Sequence, residues 1–138
     1  MSSVESTRAA EPVGHFPHAR RVGHLLFLSG IGPRERGTQK IPGVEQDSQG
    51  HVISHDIEAQ CHSVFRNVRY ILEEAGATWE SLVDVTVFLT HMKEDFKTYN
   101  RIWAEYFKTD PPCRTTVEVN CLPTPIAIEL KCIAVMEK

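Results

Sequence analysis

Apolar residues recur with helical spacing in two stretches of the chain. In the first, over 57–75, they fall every three or four positions, Asp56 stands at the N-cap position, and Gly76 follows the last apolar residue. The second covers 92–107 and is followed closely by two prolines. The pattern therefore predicts two amphipathic helices, each with one face directed at a core.

The other apolar runs are short and are typical of strands. In the clearest of them, Val83, Val85, Val87 and Leu89 alternate with residues of the opposite face. Further strands are predicted at 22–28, 51–54, 113–120 and 126–135. Strand–helix–strand order predicts an α/β (α+β) domain with a partly parallel sheet and both helices on one face. We expect one domain over 12–138, preceded by a mobile N-terminal arm at 1–11.

The sheet face opposite the helices is expected to carry both polar and apolar side chains. Such a face is too apolar for water and too polar for a core, so we expect a second copy of the chain to cover it. The pattern therefore predicts a homo-oligomer with sites at subunit boundaries. The residues assigned to this face are Thr86, Phe88, Arg114, Thr116, Glu118, Glu129 and Ile133.

Composition and net charge argue against several classes of function. The 138 residues carry a net charge of -3, which argues against a nucleic-acid binder with a broad basic face. No apolar run approaches the roughly 20 residues that span a bilayer, and the N-terminus lacks a signal core. We therefore expect a cytoplasmic protein with no membrane partner. The four cysteines and seven histidines show no metal-ligand spacing, so no metal site is predicted.

The last two strands hold the most suggestive pair of charges. If they form a hairpin that turns between Cys121 and Leu122, Arg114 lies opposite Glu129 on the face without helices. This arrangement has two interpretations. It is either an ordinary cross-strand ion pair or a carboxylate clamp beside a general acid or base.

The segments around these charges resemble the RidA/YjgF family of imine and enamine deaminases. The residues that carry the resemblance are RTTVEV at 114–119, the Leu-Pro pair at 122–123, IAIE at 126–129 and FLSG at 27–30. The similarity extends over nearly the whole chain except the arm. It implies a chorismate-mutase-like two-layer sandwich, with a mixed six-stranded sheet and two helices on one face. It also implies a homotrimer or a dimer of trimers, active sites between subunits, and no metal or organic cofactor.

The resemblance also implies roles for individual residues. Arg114 matches the arginine that holds the substrate carboxylate, and Glu129 matches the acidic residue that positions or activates the hydrolytic water. Ser29 and Gly30 match the strand end that lines the pocket. Asn100 matches a polar contact from the neighbouring subunit.

Two positions depart from the family pattern, and one loop suggests a branch. Thr116 stands where many members have cysteine, and Phe16 replaces a pocket tyrosine. The long loop after residue 30 resembles that of 2-aminomuconate deaminases. Their substrate is a dicarboxylate, so a second cation is expected, and the candidates are Arg34, Arg36, Lys40, His18 and Arg20. The cationic part of the loop is otherwise simply solvated.

The sequence therefore predicts a cofactor-independent hydrolytic deaminase. The particular reaction is conversion of 2-aminomuconate to 4-oxalocrotonate and ammonia in the degradation of aromatic compounds. Two alternatives stay open. One is a general hydrolase of imines and enamines derived from amino acids, and the other is a non-catalytic trimeric binding or regulatory module.

Overall fold

A mixed sheet covered on one face by two helices organises the chain. The computed structural model describes residues 2–137. The strands are β1 Ser2–Val4, β2 Ala19–Val22, β3 Leu25–Leu28, β4 Val44–Gln46, β5 Val52–His55, β6 Leu82–Leu89, β7 Cys113–Glu118 and β8 Ile128–Val135, and the helices are α1 Ile57–Glu74 and α2 Met92–Tyr106. In these residues the main sheet has six strands in the order β1-β2-β3-β8-β6-β7, and β6 and β7 are its one parallel pair. A separate small sheet pairs β4 with β5.

Both predicted helices are confirmed. The Asp56 side chain caps α1 by accepting hydrogen bonds from the backbone N–H groups of Glu58 and Ala59, at 3.0 and 3.2 Å. Gly76 adopts a φ of 87° just after the helix, a conformation that favours glycine. The helices bury their apolar faces against the sheet, and burying one such side chain stabilises the fold by about 1.5–3 kcal/mol. Fully buried members of this core include Phe65, Ile71, Leu72, Tyr99, Ile102 and Leu130.

The N-terminal part of the chain differs from the prediction. The single strand expected at 22–28 is a hairpin of β2 and β3, because Gly23 takes a φ of 61° and turns the chain. The segment 2–11, expected as a mobile arm, is packed in the structure. Its first residues form β1 beside β2, and Ser6 and Ala9 are buried. The Arg36 guanidinium donates to the backbone carbonyls of both, at 3.0 and 2.8 Å, which attaches the segment to the domain.

The predicted hairpin of the last two strands is wrong. Strand β6 lies between β7 and β8, so that Arg114 is registered with Val85 and Glu129 with Phe88. The physical reason is that β6, α2 and β7 form a crossover unit, which places β7 parallel to β6 at the sheet edge. Since Val85 is buried under the helices and Phe88 is on the other face, Arg114 and Glu129 lie on opposite faces of the sheet.

Two smaller expectations are also corrected. The long loop at 31–50 is not all irregular, because its end forms β4, which pairs with β5. In β6, the ladder with β8 is irregular between Leu82 and Asp84, and Val83 is left exposed although it was assigned to the buried face. Within residues 2–137, neither helix has the length and apolar character required to cross a bilayer.

Candidate active site

A small cavity lies where β8 passes the chain that leaves β3. Ile31 and Leu130 exchange two backbone hydrogen bonds, both of 2.9 Å, which hold the two segments together. The cavity has a volume of about 60 Å³ and is bordered by Glu129, Gly30 and Phe16, among others. It has room for water molecules but not, within one chain, for most of a substrate. Four residues named from the resemblance, Ser29 included, therefore border one cavity.

Gly30 lies directly against the Glu129 carboxylate. A Cβ atom at residue 30 would lie 2.6 Å from Oε2 of Glu129, far inside van der Waals contact. The neighbouring Ser29 is held by its own bonds, since its hydroxyl donates to the Pro17 carbonyl at 2.7 Å and its N–H donates to the His18 carbonyl at 2.9 Å. The strand end thus fixes the backbone against which the carboxylate rests.

Burial raises the pKa of the Glu129 carboxyl above its ordinary value. Among residues 2–137 no cation forms an ion pair with this carboxylate within 4.0 Å. The nearest lysine along the same strand face, Lys131, donates instead to the backbone carbonyl of Leu28. A half-buried carboxylate that lacks a counter-ion is suited to accept and return a proton.

Arg114 is not in this cavity. Its guanidinium carbon lies 5.0 Å from the ring centre of Tyr99 and 5.1 Å from that of Trp103, on the helix-covered face. Thr116 is also on that face, where its hydroxyl is 2.7 Å from the Tyr99 hydroxyl. Both residues were assigned to the other face, together with Glu118, whose carboxylate accepts from the N–H of Met92 at the start of α2. In the described part of the chain Arg114 has no acidic partner, so its charge is available to an anion.

Two of the predicted distal cations are committed to structural bonds. His18 is buried, and its Nδ1 accepts from the Ser6 N–H at 2.9 Å while its Nε2 lies 2.7 Å from the Ala10 carbonyl. This pattern requires the neutral imidazole with the proton on Nε2, so His18 does not supply the expected positive charge. Arg36 is occupied by the carbonyls of the N-terminal segment, as described above.

The remaining predicted residues are more dispersed. Arg34 does border the Glu129 cavity, but it also pairs with Glu11 at 3.5 Å and donates to the Thr38 carbonyl. Lys40 borders a separate groove. Arg20 lies on β2, registered with Phe27, and Asn100 is exposed on α2. The structure therefore brings two of the five candidates, His18 and Arg34, to the cavity, and of these only Arg34 supplies a positive charge.

Sequence reasoning missed Asn67, which also borders the cavity. This residue lies on the buried side of α1, and its Nδ2 donates to the carbonyls of Gly32 and Arg34, both at 2.9 Å. It thereby fixes the start of the long loop. An asparagine among apolar positions of a buried helix face is the signal that could have found it, because a buried amide must find hydrogen-bond partners.

The buried cysteines are unsuited to nucleophilic catalysis. Burial raises the pKa of the Cys61 thiol to about 12, and that of Cys132 to about 12 as well. Both thiols therefore stay protonated at neutral pH, and the thiolate is the reactive form. Cys113 and Cys121 are exposed, and neither borders the Glu129 cavity.

The fold and the cavity define a class of protein. A mixed α+β sandwich holds a carboxylate against a glycine at a strand end and an arginine on the edge strand, and neither charge has an ion-pair partner within residues 2–137. A sequence profile of the endoribonuclease L-PSP family matches residues 6–136. The chain belongs to this family, which includes the RidA/YjgF proteins, and the resemblance seen in the sequence is thereby confirmed at the family level.

Individual relatives support the same placement. A RutC family protein of Pyrococcus abyssi is 35% identical over 134 residues, which cover 97% of this chain and 96% of the relative. Reactive Intermediate Deaminase A of Arabidopsis thaliana, a chloroplastic protein, is 34% identical over 96% of this chain and 65% of its own length.

Solved structures confirm the predicted fold. E. coli TdcF with bound serine superimposes with a TM-score of 0.85 at 27% identity, covering 99% of this chain and all of that one (100%). The yjgF gene product of E. coli gives a TM-score of 0.83 at 27% identity, with 99% and 100% coverage. The mixed six-stranded sheet with two helices on one face is therefore the fold of this chain.

Proposed function

We propose that the protein hydrolyses imines that derive from amino acids. The corresponding enamines are hydrolysed after they tautomerise to imines. The observation that carries the proposal is Glu129, a half-buried carboxylate with a raised pKa, resting against Gly30 and free of ion pairs in residues 2–137. The name of the Arabidopsis relative, a reactive intermediate deaminase, supports the reaction class. TdcF was solved with serine, a small molecule that combines an amine with a carboxylate.

In the proposed mechanism, Glu129 acts first as a general base and then as a general acid. It accepts a proton from water as the oxygen attacks the carbon of the C=N bond. That proton passes to the nitrogen and gives a carbinolamine. Glu129 then takes the proton of the carbinolamine hydroxyl and delivers it to the amine, so the C–N bond breaks and ammonia leaves as the C=O bond forms. Water and imine are thus converted into ketone and ammonia with no change of oxidation state. No step requires a metal or an organic cofactor.

Arg114 is proposed to bind the substrate carboxylate from a second copy of the chain. Within one chain it lies on the opposite face of the sheet from Glu129, so the two groups cannot hold one small substrate together. However, Arg114 is on the edge strand β7 and has no acidic partner in residues 2–137. A guanidinium held over two aromatic rings is well placed to grip a carboxylate in two parallel hydrogen bonds.

This arrangement supports the homotrimer expected from the sequence. On the other face of the sheet Phe88 and Ile133 are partly exposed, and no helix of residues 2–137 covers them. Packing of further copies against it would bury that surface and bring an Arg114 to each Glu129 cavity.

A dicarboxylate such as 2-aminomuconate is a second candidate substrate. Arg34 favours this substrate, because it is a cation that borders the Glu129 cavity and could bind the second carboxylate. The case is weaker than that for amino-acid-derived imines. Arg34 already pairs with Glu11, and neither His18 nor Arg36 is available to the second carboxylate. A non-catalytic binding module is the alternative outside enzymology.

An assay with both substrate classes tests the proposal. Imines would be generated in situ by an amino-acid oxidase, and 2-aminomuconate from its semialdehyde, with ammonia release followed against the enzyme-free rate. We expect acceleration with the imines, and a loss of about 10²-fold or more in Glu129→Gln, as for removal of a general base. Glu45→Gln, on exposed β4, is the matched control. No acceleration of either substrate by a folded wild-type protein would refute deaminase function.

A further inference from the structure

A second group of titratable side chains comes together outside the Glu129 cavity. One ring nitrogen each of His55 and His91 and a carboxylate oxygen of Asp95 lie within 4.8 Å of one another. His55 Nε2 is 2.7 Å from Asp95 Oδ2, and the centres of the two imidazole rings are 4.8 Å apart. The sequence did not predict this group, because His55 and Asp95 are 40 positions apart in the chain.

Each of the three is positioned by a different part of the fold. His55 ends β5 in the small sheet. His91 and Asp95 are four residues apart at the start of α2, so they lie on one face of the helix, and the Asp95 N–H donates to the His91 carbonyl at 3.0 Å. The small sheet and the helix therefore meet at these side chains.

The His91 side chain does not cap the helix at whose start it lies. It occupies the N-cap of α2, where Ser, Thr, Asp or Asn normally cap the helix, yet its side chain makes no capping bond. Its Nδ1 is 2.9 Å from the Thr90 hydroxyl, and for its Nε2 the described residues provide no hydrogen-bond partner. Asp95 is only 5% exposed, and its carboxylate is held by the contact with His55 Nε2.

We propose that His55, His91 and Asp95 form a binding site for a divalent transition metal ion of the Zn²⁺ type. Two imidazoles with one carboxylate are a ligand set that suits such ions and leaves a coordination position open. Tetrahedral coordination separates ligand atoms by about 3.3–3.5 Å, so the His55–Asp95 pair must open by about 0.7 Å while the exposed His91 ring turns inward. An ion pair alone would explain His55 and Asp95, but not the adjacent His91 imidazole, whose Nε2 has no hydrogen-bond partner in residues 2–137.

The open coordination position has space in front of it. His55 and His91 border a cavity of about 360 Å³, whose other wall is the segment 120–127 between β7 and β8. Pro123, Thr124 and Ile126 border both this cavity and the one at Glu129. A ligand of the metal, such as water or a carboxylate, would therefore contact the same segment that borders the candidate active site.

Metal binding by the full-length, metal-stripped protein tests the proposal. Zn²⁺ affinity would be measured by isothermal titration calorimetry, and Co²⁺ would be added to record its d–d absorption bands. We expect one Zn²⁺ per chain and the intense visible bands of low-coordinate Co²⁺. His91→Asn removes a ligand while placing a good N-cap residue at that position, and it should weaken Zn²⁺ binding about 100-fold or more.

Three further variants make the result unambiguous. Asp95→Asn keeps the shape of the side chain and should also weaken binding. His51→Ala removes an exposed histidine that lies beside the small sheet and pairs with Asp47, and it should leave the affinity unchanged. Cys113→Ser/Cys121→Ser removes the exposed thiols. The proposal is overturned if no Zn²⁺ binds, if His91→Asn binds as tightly as wild type, or if binding is lost only with the thiols.

Discussion

Substitution of Gly30 by alanine would test whether activity depends on the position of the Glu129 carboxylate, because it should move that group with little effect on the stability of the fold. The added methyl group would lie 2.6 Å from Oε2 of Glu129, whereas ordinary contacts begin near 3.4 Å, so the carboxylate must retreat by about 0.8 Å. Since this oxygen is the free end of a flexible side chain, the free energy of unfolding should fall by less than about 1 kcal/mol, well below the usual cost of overpacking. A displacement near 1 Å at a reacting group costs about 10²-fold in rate. We therefore expect a folded variant whose kcat/KM for imine hydrolysis is lower by about 10²-fold.

A second glycine in the same segment supplies the comparison. A Cβ at Gly32 would meet Cδ1 of Ile126 at 2.9 Å, and this methyl group is also the end of a flexible side chain. Gly32→Ala should therefore carry a similar small cost in stability but lose less than about tenfold in kcat/KM, because it leaves the carboxylate in place. Urea unfolding and ammonia-release kinetics would be measured on both variants. Wild-type activity in Gly30→Ala would refute the reasoning, as would equal losses of activity in the two variants.

Three further predictions concern hydrogen bonds and ionisation. Partial burial raises the pKa of Glu74, but hydrogen bonds from Ser6 and Thr7 outweigh this effect and lower the pKa to about 2. Glu74→Gln should therefore lower the free energy of unfolding at pH 7, measured with urea, by about 1–2 kcal/mol. That difference should disappear as the pH falls from 4.5 towards 2, because a depressed pKa contributes stability only while the carboxylate is charged in the native state. Asn67→Ala leaves two loop carbonyls without their donor and should lower stability by about 1–3 kcal/mol, with faster amide exchange in the loop at 32–40. Finally, because burial raises the pKa of Glu129 and the base must be ionised, kcat/KM should fall on the acid side with a midpoint above the ordinary 4.5; a midpoint at or below 4.5 would contradict its role.

The helices could be predicted from the sequence because each one carries its own signals. Asp56 and Gly76 mark the two ends of α1 through local backbone bonds, and both act in the structure as predicted. Strand pairing could not be read in the same way. The hairpin of β7 and β8 was inferred from their nearness in sequence, whereas the crossover through α2 brings β6 between them.

For the candidate site, the sequence could indicate individual residues but not the contacts between them. The meeting of Glu129 and Gly30 in one cavity agrees with the placement that the resemblance implied for both residues. The partners of His18 were not predictable, because its two ring nitrogens bond to backbone groups of a segment that was expected to be mobile. Asn67 and the group at His91 likewise depend on contacts between residues far apart in sequence, which a single sequence does not reveal.

The separation of Arg114 and Glu129 on opposite faces of the sheet leads to a decisive prediction. If each site takes its arginine from one copy and its glutamate from another, Arg114→Ala and Glu129→Gln are both inactive alone but complement each other in a mixed oligomer. Random co-assembly of equal amounts would give about one quarter of the sites both native groups, so about a quarter of the wild-type activity should return. The co-expressed, separately tagged variants would be purified as a mixed oligomer and assayed for ammonia release. Because a site contained within one chain cannot be repaired by mixing, absence of any recovery in a mixed oligomer would place both groups' roles within single chains and refute the shared site.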